Sequence, residues 1–299
     1  HMTIKLGNAP CSWGVRPTDD PERPTWQTVL KECAQAGYAG IELGPLGYMT
    51  ELDPGELSDE LAKNNLKCIA AVIYQPFSDV NQWDVVLDAA ERLCRQAAAQ
   101  NAPNVVLIDA ICARRAPTIG RADEAEQMDA AEWQTFRNRF ETIAQMAVEE
   151  YGLTPAIHQH VGGFQEFEAE HERMLNEIDD KYLKICLDTG HYRYAGFDPV
   201  AFLKRHIDRV SYVHFKDINP SVHADVVANR TDFFKAHRQG VFCPLGEGDV
   251  DFRAVRQVLD ASGYHGWATV EQDADPLVGL QPLADAQRSR AYLQSIGFQ

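Results

Sequence analysis

The chain has 299 residues, 45% of them hydrophobic, enough for the core of one large domain or two small ones. Its 28 Lys and Arg stand against 44 Asp and Glu, a formal net charge of −16. That balance argues against nucleic acid or an acidic membrane as partner, because phosphate binding needs clustered basic residues, and suits an enzyme of small, neutral substrates. Seven cysteines are scattered without a CxxC, the pattern of reduced thiols. No apolar run approaches the roughly 20 residues of a membrane span, and no basic-then-apolar leader opens the chain. The expectation is a cytoplasmic protein, with His1-Met2 a cloning remnant and 3–299 one domain.

Short β-rich runs alternate with amphipathic stretches. In chain order, strands are expected at 4–9, 40–44, 67–74, 104–109, 154–160, 184–189, 209–216 and 267–272. Between the third and fourth, 79–100 carries Trp83, Val86, Ala90, Leu93 and Ala97 on one side. Between the fourth and fifth, Trp133, Phe136, Phe140, Ile143 and Ala147 recur at helical steps in 131–150. AGYAGIELG (36–44) and SGYHGWATVE (262–271) share Gly-Tyr-x-Gly before a strand, and the first Gly of each can end a helix in the left-handed conformation. YGLTPAIH (151–158) is a third variant. Eight strand–helix units with short joints and no linker predict a (β/α)8 TIM barrel of the α/β class. An open doubly wound sheet is weakened because no GxGxxG follows the first strand.

Active sites of such barrels gather at the C-terminal strand ends. There the fifth strand carries His158 and His160, in AIHQHVGG (156–163). The sixth, CLDTGH, carries Asp188 and then His191. The seventh, VHFKD, carries His214, Lys216 and Asp217, and the eighth, VEQD, carries Glu271. Glu42 and Asp109 add carboxylates on the second and fourth. Side chains two apart on a strand share a face, so His158 pairs with His160 and His214 with Lys216. Buried imidazoles and charges are costly unless paired or bound to metal, and converging carboxylates repel unless a divalent cation sits among them. Mixed imidazole and carboxylate donors suit Mn2+, Co2+, Fe2+ or Zn2+ better than Ca2+. Each residue alone has a plainer explanation: a hydrogen-bonded strand-end histidine, a helix cap at Asp188, a salt bridge at Glu271. Their coincidence on four consecutive strands points to a metal site.

The chain resembles the xylose-isomerase-like TIM barrels of sugar isomerases and epimerases and, among them, the inosose dehydratases. The likeness is carried by APCSWGV (9–15), GYAGIELGPLGY (37–48), HQHVGG (158–163), CLDTGHYRYAG (186–196), KRHIDRVSYVHFKD (204–217), GEGDVDFRAV (246–255) and GYHGWATVEQD (263–273). It implies a divalent metal, Mn2+ or Co2+ before Mg2+, Fe2+ or Zn2+, on Asp188, His214 and Glu271. The first ligand departs from the pattern: many relatives read Glu-x-His where this chain reads His158-Gln159-His160. His158 is then the fourth ligand, with water or Glu166 as alternatives. The resemblance further implies loss of water from a cyclic keto-polyol such as 2-keto-myo-inositol, through an enolate. Isomerisation or epimerisation of a keto-sugar, or β-elimination from a 3-keto-glycoside, would use the same metal. Metal-dependent DNA-repair endonucleases share the fold, but the −16 charge opposes that alternative.

With that chemistry, His160, His191 and Lys216 are the acid–base candidates, undivided among themselves. Glu42, Gln75, Asp109 and Gln272 would hold hydroxyls. Trp13 would offer the ring an apolar face or pack the barrel floor. Segment 218–243, with Arg230, Phe233, Phe234, His237 and Arg238, is long for a connection. It is expected to be a lid with Arg230 as a contact, or else an oligomer contact or an insertion. The expected partners are a small keto-polyol or keto-sugar and, as an option, a second copy of the chain.

Overall fold

Alternating apolar faces on eight strands close a parallel sheet on itself in the computed structural model, which describes residues 4–18, 20–273 and 281–299. His1-Met2 lie outside the described residues. The barrel strands are β1 (Lys5–Asn8), β2 (Gly40–Ile41), β3 (Lys67–Cys68 continued by Ala70–Gln75), β4 (Asn104–Asp109), β5 (Thr154–His158), β6 (Lys184–Asp188), β7 (Val210–Phe215) and β8 (Trp267–Val270). Neighbours in sequence are neighbours in space, and β8 pairs with β1 in parallel. The ring closes through β3: its first part pairs with β2 and its second with β4. At the break between them, Ile69 N donates to Ile41 O and Asn104 N to Ile69 O.

Two apolar layers follow from strand alternation. Inside the barrel, Ile69, Val106, Ile108, Ala156, Cys186 and Tyr212 pack on one another. Outside it, Val105, Leu107, Ile157 and Leu187 meet the helices. Helix Ala130–Tyr151 buries the stripe read from its sequence; Asp129 caps its start by accepting from Glu132 N, and Gly152 ends it with φ of 66°. The repeated joint behaves as expected, with Gly37 and Gly263 at φ of 92° and 77°. Among the described residues no helix is long and apolar enough to cross a membrane.

The strand expected over 154–160 stops at His158. There the chain turns back on itself: His160 N donates to Gln165 O, and Gly162 takes φ of 87°. His160 therefore sits on a loop at the barrel mouth. The strand expected over 40–44 pairs only across Gly40–Ile41, and that over 267–272 ends at Val270.

The first and second strands approach closely at Gly7. A Cβ there would meet Ile69 Cδ1 at 2.1 Å and Gly40 O at 3.1 Å. Gly7→Ala should lower unfolding stability by about 1–3 kcal/mol, measured by chemical denaturation.

Candidate active site

A cavity of about 230 Å3 opens at the C-terminal ends of the strands. One wall is polar and comes from β5 to β8. His158, Asp188, His214 and Glu271 are all buried there. His158 Nε2 lies 3.1 Å from Asp188 Oδ2, and His214 Nδ1 lies 3.6 Å from Asp188 Oδ2 and 3.3 Å from Glu271 Oε2. Donors that share one ion at about 2.0–2.2 Å stand roughly 3–3.6 Å apart, so His158, Asp188 and His214 are spaced to share a divalent cation, and Glu271 meets the same nitrogen of His214. His214 Nδ1 is buried and makes no hydrogen bond, while Nε2 faces Glu42 Oε2 at 2.7 Å. Tyr212 donates to the same carboxylate oxygen at 2.6 Å. Glu42 thus orients the ring behind the centre, as carboxylates do for metal-bound histidines. Asp188 serves two ends at once: Oδ1 caps the helix Thr189–Ala195 by accepting from His191 N at 2.8 Å, which leaves Oδ2 to the cluster.

The charges agree with that fit. Burial, then the coulombic push of Glu42 and Asp273, lifts Glu271 to about 8 despite His214 and Lys216 nearby. The mouth therefore holds more carboxylate than its own cations balance, the condition a metal ion relieves. Lys216 is buried too. Burial opposes its charge, but Asp273, Asp188 and Glu271 outweigh it and hold its pKa well above the usual lysine value. Its ammonium contacts Asp273 Oδ2 at 2.7 Å.

Beside the cluster, the rings of His160 and His191 lie 4.0 Å apart. The main chain of Val161 sits between them and fixes both tautomers. A carbonyl only accepts, so the contact of 2.7 Å between His160 Nδ1 and Val161 O puts the proton on Nδ1 and the lone pair on Nε2. An amide only donates, so Val161 N at 3.2 Å from His191 Nδ1 puts the proton of a neutral His191 on Nε2. Burial keeps both rings neutral, His160 with its pKa lowered to about 3 and His191 well below the ordinary value. Phe233 closes over the pair, with its ring 5.8 Å from that of His160.

Five expected substrate contacts fall elsewhere. Inward residues of β3 and β4 are Val72, Tyr74 and Ile108, which line the cavity, so Gln75 and Asp109, one position on, turn away. Asp109 instead accepts from Phe164 N at 2.7 Å and Ser78 N at 3.1 Å. Gln272 alternates outward between Glu271 and Asp273, and its backbone bonds Ser12 Oγ. Trp13 is packed in the core with Nε1 donating to Glu32. Arg230, on the outer surface, pairs with Glu124 at 2.6 Å. Glu166, the alternative ligand, accepts from Gly120 N on the far side of the loop and is pushed up to about 8 by burial. The long segment does reach the mouth, but through Phe233, Phe234 and His237. Tyr74, Tyr212 and Asp273 escaped notice although alternation from Val72, His214 and Glu271 would have found them. Nothing in the sequence pattern marked Cys11 or Arg16, which also line the cavity.

This barrel with its polar mouth is of the xylose isomerase-like TIM barrel type: that family matches residues 30–296, and the chain belongs to it. Within the family the chain is similar to the inosose dehydratase of Lactiplantibacillus plantarum, 31% identical over 97% of this chain and 95% of the relative. That kinship makes the protein an enzyme, a carbon–oxygen lyase. Two solved structures share the fold. The probable 3-DHS dehydratase AsbF of Bacillus anthracis has a TM-score of 0.73 at 18% identity, with 97% of this chain and 99% of that one covered. The IOLI protein with a bound zinc atom has a TM-score of 0.70 at 14% identity, with 98% of each covered.

His214→Ala or Glu271→Ala should weaken Mn2+ binding at least about tenfold by mass-spectrometric metal analysis, with Glu166→Gln unchanged. Burial raises Asp109 to about 7 from 3.8. An acid that keeps its proton longer when folded gives stability present below about pH 3.8 and lost as pH climbs towards 7. Asp109→Asn should therefore gain on the unsubstituted protein between those limits, by on the order of 1–3 kcal/mol in denaturation at each pH.

Proposed function

We propose that this protein is a metal-dependent dehydratase that removes water from a cyclic keto-polyol of the 2-keto-myo-inositol class. The observation that carries the assignment is the imidazole pair in opposite tautomers next to a cluster fitted to a divalent cation. Water loss beside a ketone needs a base for the α-proton and an acid for the β-hydroxyl. His160 presents a free lone pair at Nε2, and His191 presents a proton at its own Nε2. His158, Asp188, His214 and Glu271 would hold the ion, Mn2+ or Co2+ by donor type. When bound, the ion supplies Lewis acidity towards the ketone oxygen and so favours the enolate.

His160 Nε2 takes the α-proton and the C–H electron pair passes into the enolate. The pair then returns to form the carbon–carbon double bond as the β-hydroxyl leaves. His191 Nε2 gives that hydroxyl its proton, and water departs. Exchange with solvent restores both rings. Lys216, held among three carboxylates, stands as a fixed positive charge near the developing oxyanion rather than as a mobile proton carrier. Val72, Tyr74 and Ile108 give the C–H face of the ring an apolar wall. The two imidazoles lie side by side, 4.0 Å apart, an arrangement that suits loss of proton and hydroxyl from the same side of the ring.

Protein incubated with Mn2+ and 2-keto-myo-inositol should yield an absorbing dione of lower mass. A product of unchanged mass would instead favour an isomerase or epimerase, in which the enolate is reprotonated. His160→Gln should lower kcat by about 10^2–10^4 with bound metal retained. Histidine 15N NMR should show His160 protonated at Nδ1 and His191 at Nε2; the reverse pattern would overturn the assignment of base and acid.

A further inference from the structure

The cavity carries a cation that neither the metal-competent cluster nor the imidazole pair uses. Arg16 follows the single turn Pro10–Trp13, which closes on Gly14 with φ of 78°, and lines the cavity from the β1 side. It is half-buried, and its Nε is fully buried without a hydrogen-bond partner. Among the described residues no carboxylate pairs with its guanidinium. This is unusual in a chain with 44 acidic and 28 basic residues. The other buried cations have carboxylate partners: Lys216 has Asp273 at 2.7 Å, and Arg115, whose Nε is likewise buried without a hydrogen bond, binds both oxygens of Glu170 at 2.7 and 3.0 Å. A buried guanidinium N–H without an acceptor costs free energy that a bound ligand can return.

We propose that Arg16 receives a carboxylate of the substrate. This rests on the dehydratase assignment above and extends its substrates from the neutral keto-polyol to ring hydroxy-ketones that also carry an acid group. Three observations carry the inference. The guanidinium offers a planar fork of donors, which two parallel carboxylate oxygens match and a single hydroxyl does not. Lys216 is already engaged by Asp188, Glu271 and Asp273, so Arg16 is, among the described residues, the cavity's cation left for an anion. The cavity of about 230 Å3 takes one ring with a short substituent, so an acid group would be held while the ring carbons face the cluster. The net charge of −16 gives no long-range attraction for an anion, so selectivity for an acid would depend on this contact. Sequence composition alone suggested a neutral substrate; the placement of one arginine adds an acidic class to it.

Calorimetric titration of the Mn2+-loaded protein with quinate, a polyhydroxylated cyclohexane carboxylate, and with myo-inositol, a neutral counterpart, tests this directly. Quinate should bind at least about tenfold more tightly than myo-inositol. Arg16→Gln should abolish that preference while changing myo-inositol binding less than about twofold, and Arg16→Lys should keep part of it. Thermal melting of both variants checks that the fold persists, and Arg16→Lys carries the test if Arg16→Gln melts early. Quinate that binds no better than myo-inositol, a preference that survives Arg16→Gln, or equal loss of both ligands would overturn the proposal. Turnover separates the two assignments. A protein that dehydrates 2-keto-myo-inositol but ignores quinate refutes the role of Arg16 alone. One that binds quinate through Arg16 but removes no water from any keto ring refutes the dehydratase assignment and leaves Arg16 in place.

Discussion

Carboxylates brought into a barrel mouth must find positive charge, and the arrangement of this molecule follows from that need. Asp188, Glu271 and Asp273 surround Lys216, and Glu42 backs His214. All of them are removed from water to the extent that burial is the leading influence on each carboxylate's proton affinity. A barrel built only for stability would fill this layer with branched apolar side chains, as it fills the level below with small and branched ones, Ala156 beside Val106. The polar layer is tolerated because the apolar layers beneath and around it are continuous. The helices outside, including the aromatic stripe of Ala130–Tyr151, supply the burial that offsets it.

The fold was legible because its signal is redundant. Eight strand patterns and a repeated Gly-Tyr-x-Gly joint agree with one another, and an error at one strand end does not disturb the count. The cluster was legible for a related reason: β5 to β8 each place a donor on the inward parity, so His158, Asp188, His214 and Glu271 could be named from sequence and are found together. The second tier was harder. Gln75 and Asp109 stand at the ends of their strands, but ending a strand does not set which way a side chain points. Parity does, and it selects Tyr74 and Ile108. Trp13 and Arg230 stand on loops, where no periodicity applies. Their partners, Glu32 and Glu124, are set by tertiary contacts that no local pattern records.

Asp109 illustrates how a residue misplaced by sequence reasoning can still bear on the mouth. Its two oxygens hold Phe164 N and Ser78 N, and its backbone oxygen lies where a Cβ on Gly163 would come within 2.5 Å. The loop from His160 to Phe164 is therefore pinned from behind by β4. Gly162, at φ of 87°, and Gly163, with no room for a side chain, are the two positions that let the loop fold this tightly.

That loop carries Val161, whose carbonyl and amide set the protonation pattern of two histidines. Its own side chain is buried in the core and touches neither task. An alanine scan would pass over position 161, since the truncated residue keeps both main-chain groups. Selection here acts on the path of the chain. Two proteins could share this arrangement of imidazoles with different residues at 161, and a comparison of side chains alone would not reveal that they do.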